Sequence, residues 1–297
     1  MPRNRVETED SLIYQGRALI HFYPNSHRYR VSVPALDKWR VPVIGVTTIL
    51  GVKDKSSALQ KWTADMAELY GQIQVAENQK SWMYNDQVLK ILRDMKTHYR
   101  LVKQQAADVG VVVHDYLHSV LLARQNSWDE PCRPELDERF NSKMRGQVDA
   151  AIDAGLEFFS KHKLVPWTME KPVWSPSNSY IGTDDFIGTL DGELVCLDFK
   201  TSKYLYSEVF LQTMAYQTAY KEEFPDCGQF EANWGVQVAK DGKLNAVRRG
   251  KEYFENDWRA FLGAKTLYEW DRIESGSKPM VNLGSLDAIP IPNEEEW

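Results

Sequence analysis

Cysteine is scarce in this chain: Cys132, Cys196 and Cys227 are the only three among 297 residues. They lie far apart and form no C-x-x-C pair, which excludes a zinc ribbon or a disulfide framework and predicts three reduced thiols. An excess of positive charge is also missing. At a net charge of −6 there is no global pull toward nucleic acid, so any contact with DNA must come from local basic patches. No run of about 18 apolar residues occurs, and Met1 to Asp10 is charged where a signal peptide would be apolar, so no membrane association is expected. Repeats and low-complexity blocks are missing as well. What is present is apolar material, 43% hydrophobic residues and 12% aromatic, enough for one large core or two small ones. A soluble, cytoplasmic protein is expected.

Along the chain, Leu19 to Tyr23 and Tyr29 to Val33 read as a hairpin around Pro24-Asn25-Ser26. Val46 to Leu50 is β-branched and apolar and reads as a further strand. After the breaker Lys53 to Ser57, helical spacing begins with Leu59, Trp62, Met66 and Leu69 and continues to about Lys163. Three apolar stripes follow: Val88, Leu92 and Met95; Val111, Leu117 and Leu121; and Phe140, Met144, Val148, Ile152 and Phe159. Pro131 and Pro134 separate the last two. From Thr168 to Lys200 the texture is that of three consecutive antiparallel strands, set off by Ser175 to Asn178 and by Asp191-Gly192. A helix from Ser207 to about Glu223, a strand pair around Lys240-Asp241-Gly242 and a last helix from Asn256 to Ser275 precede an extended, acidic tail.

The chemistry concentrates between Tyr180 and Lys203. In the strand ending at Lys200, side chains alternate with a period of two, so Leu194, Cys196, Asp198 and Lys200 share one face. A carboxylate and an ammonium at the end of an apolar strand each cost on the order of several kcal/mol unless paired or bound to something. A plain ion pair satisfies that requirement. So does a metal site, once Asp185 on the preceding strand is included: two carboxylates and the Phe199 carbonyl are hard oxygen ligands suited to Mg²⁺ or Mn²⁺. Lys200 then stands beside the water to be activated.

Gly182-Thr-Asp-Asp185 followed by Asp198-Phe-Lys-Thr201 resembles the Gly-x-x-Asp and Asp-x-Lys-Thr motifs of PD-(D/E)xK exonucleases of the RecB type. Gly110-Val-Val-Val-His114 upstream is similar to that family's Gly-x-x-x-His motif, and Gln212-Thr-Met-Ala-Tyr216 downstream to its Gln-x-x-x-Tyr motif. The resemblance covers about Gly110 to Tyr220. More loosely, Val46 to Leu50 with Lys61-Trp62 resembles phage and mitochondrial genome maintenance exonucleases. It implies catalysis by Asp185, Asp198 and Lys200 with Glu170, metal ligation by His114, Asp185, Asp198 and Phe199, and DNA contacts from Gln212, Tyr216, Thr201 and Lys203. Asp184 and Asp185 should point to opposite faces; motif alignment selects Asp185, and a bulge would reverse the choice. Three scattered cysteines cannot hold the iron–sulphur cluster of some relatives, so none is expected.

The expected fold is α/β: a restriction-endonuclease-like central mixed sheet flanked by helices, with a helical N-terminal insert. The expected organisation is an N-terminal hairpin and helical region over 1–165, a catalytic core over 166–276 and an extended tail over 277–297, in one compact unit. The expected activity is metal-dependent exonucleolytic hydrolysis of DNA in replication, recombination or repair, in a bacterial or phage-infected cell, with a single-strand-binding or annealing protein as a possible partner. An endonuclease on the same core and a catalytically silent DNA-binding module are the alternatives. Lys90, Arg93, Lys96, His98, Arg100 and Lys103, and Arg248, Arg249 and Lys251, are candidate phosphate contacts; Trp62, Tyr70, Trp82 and Tyr84 are candidate base-stacking residues.

Overall fold

A computed structural model describes residues 8–53, 56–77, 85–286, 289–290 and 292. Trp82, Tyr84 and the acidic end from Asn293 to Trp297 lie outside the described residues, as do the side chains of Leu59 and Lys96. The predicted N-terminal hairpin is there as β2 (Ala18–Tyr23) and β3 (Arg28–Val33), flanked by two strands the sequence did not announce, β1 (Glu9–Ile13) and β4 (Lys38–Gly45). Val46–Leu50 is not a strand but a short helix, α1. Its β-branched residues favour a strand locally, but Val46, Ile49 and Leu50 fit one buried helical face, and packing overrides propensity.

Next come α2 (Ser56–Glu77), α3 (Asn85–Asn126) and α4 (Ser142–Lys161). The first two predicted stripes are thus one 42-residue helix. Its core face is Val109, Val113, Leu117, Val120 and Leu121, whereas Val111 is 60% exposed. The segment Thr97–Asn126 is long and apolar enough to cross a membrane by composition, but that apolar face is spent on the core it shares with α4 and the sheet. Trp62 meets Tyr99 edge-on and Tyr70 lies over His98, so these aromatics join α2 to α3. Asn141 caps α4, its side chain accepting from the Met144 amide at 3.0 Å.

The stretch read as three antiparallel strands holds four, β6 (Lys171–Ser175), β7 (Tyr180–Asp184), β8 (Phe186–Leu190) and β9 (Glu193–Lys200), and a further strand, β5 (Leu164–Thr168), ends at its first residue. They divide between two sheets. After α5 (Glu208–Glu223), β10 (Ala232–Val238) and β11 (Leu244–Gly250) complete the second sheet, and α6 (Phe254–Glu274) follows. One sheet runs β1-β2-β3-β4-β7-β6 and the other β11-β10-β9-β8-β5. Both are mixed, because β4 is parallel to β7 and β10 is parallel to β9. The single central sheet of the sequence reading is therefore corrected to two mixed sheets within an α/β fold. β7 and β8 belong to different sheets although only Asp185 separates them.

The second sheet is the middle of three layers. Phe186, Val195, Leu197 and Phe199 face α3 and α4, while Ile187, Leu194 and Cys196 face α1, α5 and α6. Alternation along β9 produces this two-sided burial. Asp191 and Gly192, with φ of 53° and 90°, make the tight turn that pairs β8 with β9.

Candidate metal centre

Asp185 stands where the chain leaves one sheet for the other, and this bend settles which aspartate faces the pocket. Asp184 remains in β7, fully buried, its Oδ1 accepting from the Lys171 amide at 2.8 Å. Asp185 turns into a cavity of about 430 Å³ that His114, Glu170, Gln212 and Tyr216 also line. Its Oδ2 accepts from the Phe199 amide at 2.7 Å and lies 3.5 Å from His114 Nδ1. His114, Glu170 and Asp185 each offer a ligand atom, and these atoms all lie within 4.8 Å of one another.

Glu170 reaches this cluster through an unusual backbone. It joins β5 to β6 with φ of 50°, the left-handed region that costs a non-glycine residue roughly 1 kcal/mol or more. Its amide donates to the Asp184 carbonyl at 2.8 Å, which holds the bend. Burial, then Asp185, Asp184, Asp115 and Asp198, push its carboxyl up to about 8.

Asp198, on β9 beside this cluster, has no exposed surface. Lys200 Nζ lies 2.5 Å from its Oδ2, and Oδ1 has no hydrogen-bond partner among the described residues. Burial raises its carboxyl to about 6 against the pull of Lys200. Burial also raises Asp184, to about 7, and raises Asp185 against the opposing Lys200 charge and Phe199 amide. For Lys200 burial works the other way, but Asp198 and Asp185 outweigh it and hold the ammonium above the usual lysine range. His114 is lowered, first by burial, so its imidazole is neutral at pH 7 and has a lone pair to offer.

From Lys200 a polar chain continues onto α5: Nζ donates to Gln212 Oε1 at 3.1 Å, and Gln212 Nε2 donates to Tyr216 Oη at 2.8 Å. Gln212 and Tyr216 share a helix face as their spacing predicts. Tyr216 lies so close to β7 that a β-carbon added to Gly182 would be 2.2 Å from Tyr216 Cε1. The glycine of Gly-x-x-Asp thus makes room for the tyrosine of Gln-x-x-x-Tyr. At Gly110 an added β-carbon would stand 3.1 Å from Thr201 Oγ1, so α3 passes close to the end of β9.

The residues read from sequence do not all converge. His114, Asp185 and Glu170 form the tight cluster; Asp198 lies beside it but is engaged by Lys200. Lys203 is exposed, its ammonium 5.3 Å from the Tyr204 ring. Arg248, Arg249 and Lys251 are spent in ion pairs with Glu193, Asp257 and Glu231. Sequence reasoning missed Asp115, Phe22, His27, Tyr29 and Thr183, all of which line the pocket. Asp115, next to His114 on the helix, had a signal; the hairpin residues had none, because nothing local says that β4 joins their sheet to β7. No family model and no curated protein matches this sequence.

The donor set fits a divalent cation. One neutral imidazole, two carboxylates within reach of a common point and a bare oxygen on a buried third carboxylate are what an ion with nitrogen and oxygen ligands needs. Without positive charge beyond that of Lys200, these acids must repel one another or protonate, in line with their raised values, of which burial is the first cause.

Proposed function

We propose that this protein is a metal-dependent deoxyribonuclease of the PD-(D/E)xK kind that hydrolyses DNA phosphodiesters from a free end. The observation that carries the reading is the gathering of the His114, Glu170 and Asp185 donors in one pocket, with the Asp198–Lys200 pair beside it and joined to it through Gln212. Mg²⁺ or Mn²⁺ held there would supply Lewis acidity, a water of lowered pKa and charge neutralisation.

Each side chain has a part. Asp185 and Glu170 provide anionic oxygens, and the Phe199 amide fixes the direction of the Asp185 carboxylate. His114 offers a nitrogen, which favours Mn²⁺ over Mg²⁺. Asp198 and Gln212 orient Lys200 from two sides. Because its carboxylate neighbours keep Lys200 charged, its role is to neutralise negative charge developing on the phosphate oxygens, not to accept a proton. Gln212 and Tyr216 transmit the position of α5 to the lysine. The end-dependent mode, and a place in replication, recombination or repair beside a single-strand-binding or annealing protein, rest on the resemblance of the four motifs.

Digestion of end-labelled linear DNA and of closed circular DNA, with Mn²⁺, with Mg²⁺ and with EDTA, tests this reading. Release of mononucleotides or short fragments from linear DNA alone, abolished by EDTA, is expected. Cutting of closed circles would convert the assignment to an endonuclease, and binding with no turnover in either metal would leave a silent DNA-binding module.

A further inference from the structure

The pocket that holds the acids has a second, apolar wall. Phe22 on β2 and Tyr29 on β3 are a directly opposed cross-strand pair whose rings stack at 4.8 Å. Such pairs commonly hold a hairpin together. His27 is different. It lies in the connection between the strands with φ of 49°, is exposed, and meets Phe22 edge-on at 5.3 Å and Tyr29 at 6.2 Å. The left-handed backbone belongs to the turn, since Asp37 takes it with φ of 50° in the next hairpin, but the turn needs no ring there. Across the same cavity stands Val111, the one member of its predicted stripe that the core did not take. An aromatic wall facing an exposed aliphatic side chain is a slot for a flat, apolar-faced group.

Resting on the nuclease reading, we infer that Phe22 and His27, backed by the buried ring of Tyr29, form a stacking platform for one unpaired nucleobase whose phosphate lies at the His114–Glu170–Asp185 cluster. The spacing between platform and acids is fixed, because Tyr29 Oη and Thr183 Oγ1 are hydrogen-bonded at 2.9 Å and Thr183 is two residues from Asp185 on the same run of chain. A cavity of about 430 Å³ is at the small end of ligand sites, which run from about 300 to 1,000 Å³, and holds one nucleotide rather than a base pair. Stacking accepts any base, since every base has a π face, so the platform selects for an unpaired end without selecting sequence. A single-stranded or frayed terminus is therefore the substrate this pocket takes.

The test uses the full chain and single-stranded oligonucleotides carrying 2-aminopurine at each of the last three positions in turn, with Ca²⁺ in place of Mg²⁺ or Mn²⁺. Quenching on binding at one position is expected. Phe22→Ala and His27→Ala should lose that quenching and weaken binding about tenfold, in keeping with the usual worth of base–aromatic stacking. On an oligonucleotide made abasic at the same position, wild type and variants should bind alike, because the partner of the removed ring is then missing. Should Phe22→Ala fail to fold, His27→Ala and His27→Phe carry the test, the second retaining affinity. Equal weakening on intact and abasic strands by variants that melt like wild type would overturn the platform, as would absence of quenching at every position. Hydrolysis without quenching removes the platform and leaves the nuclease reading; quenching that depends on the rings, without hydrolysis in any metal, removes the nuclease reading and leaves the platform.

Discussion

Two sets of acids in this molecule look alike one at a time and differ as groups. Asp198 and Asp257 are both buried aspartates with one oxygen against a cation, Lys200 at 2.5 Å and Arg249 at 2.7 Å, and each leaves its other oxygen without a hydrogen-bond partner among the described residues. Around Asp257 the charge is closed off: Arg249 lies 4.1 Å from the centre of the Phe210 ring and 5.2 Å from that of Tyr253. Around Asp198 it accumulates, with Asp184, Asp185 and Glu170 in or beside one open pocket and each pushed upward by burial first. Glu223 belongs with Asp257, since one backbone amide, that of Tyr14 at 2.6 Å, answers its carboxylate locally. A bare carboxylate oxygen is thus weak evidence of a metal site. A crowd of acids that only added positive charge can relieve is strong evidence.

The largest expected effect separates the two cations. Lys200→Ala should lower DNA hydrolysis by about 10³-fold, the range seen when one preorganised transition-state donor is lost, and leave the melting temperature near that of wild type, because Asp198 is free to protonate. Steady-state rates on end-labelled DNA beside thermal melts measure this. Normal turnover in the variant would put the two lysine- and arginine-bound aspartates in the same, structural class. Asp257→Ala should do the reverse, costing about 3 kcal/mol of stability, at the low end for a broken buried pair because part of Arg249 reaches solvent and its aromatic contacts persist. Turnover per folded molecule should not change. Urea melts with parallel activity assays decide it, and a loss of rate beyond the loss of folded protein would contradict the contrast.

Gly182→Ala probes the cleft through packing instead of charge. The new methyl overlaps Tyr216, so the tyrosine must shift, at about 1–3 kcal/mol for an overpacked core position. Because Tyr216 holds Gln212 and Gln212 holds Lys200, rate and stability should fall together, unlike either charge variant. A destabilised variant with full activity per folded molecule would show that the polar chain along α5 has no part in positioning Lys200.

Much of this site was legible because strand and helix periods are local. Alternation in β9 gave the shared face of Asp198 and Lys200, and four-residue spacing on α5 gave that of Gln212 and Tyr216. What was not legible depends on partners distant in the chain. Strand-like residues on both sides of Asp185 do not reveal that they join different sheets, and Val46–Leu50 reads as a strand until its burial beside α5 and α6 is known. Val111 has helical spacing yet lies outside the core, because the side of α3 that carries it faces a pocket, while Val109 and Val113 on the other side face the core. Arg248, Arg249 and Lys251 read as a basic patch, and only the positions of Glu193, Asp257 and Glu231 show them to be spent.

The smallest expected effect is a pH dependence that tells the two acid groups apart. In the metal-free protein Glu170 is raised to about 8, Asp184 to about 7 and Asp198 to about 6, and outside the cleft Glu223 is raised to about 7, burial being the leading cause each time. A carboxyl raised in the folded state binds its proton more tightly there than in the unfolded chain. Its stabilising share is therefore complete below the unfolded value near 4 and is lost as pH rises through about 6 to 8. Melting temperatures in EDTA should fall between pH 5 and pH 8.5 by about 5 °C. Mn²⁺ binds the ionised ligands and should remove the cleft's share of that fall, more effectively at pH 8 than at pH 6. Glu223 has no ion to answer it, so a residual slope should persist in Mn²⁺ and disappear in Glu223→Gln. If Mn²⁺ instead left the whole slope in place, the cleft acids would be no more a metal site than Asp257 is, and the contrast between the two groups would fall.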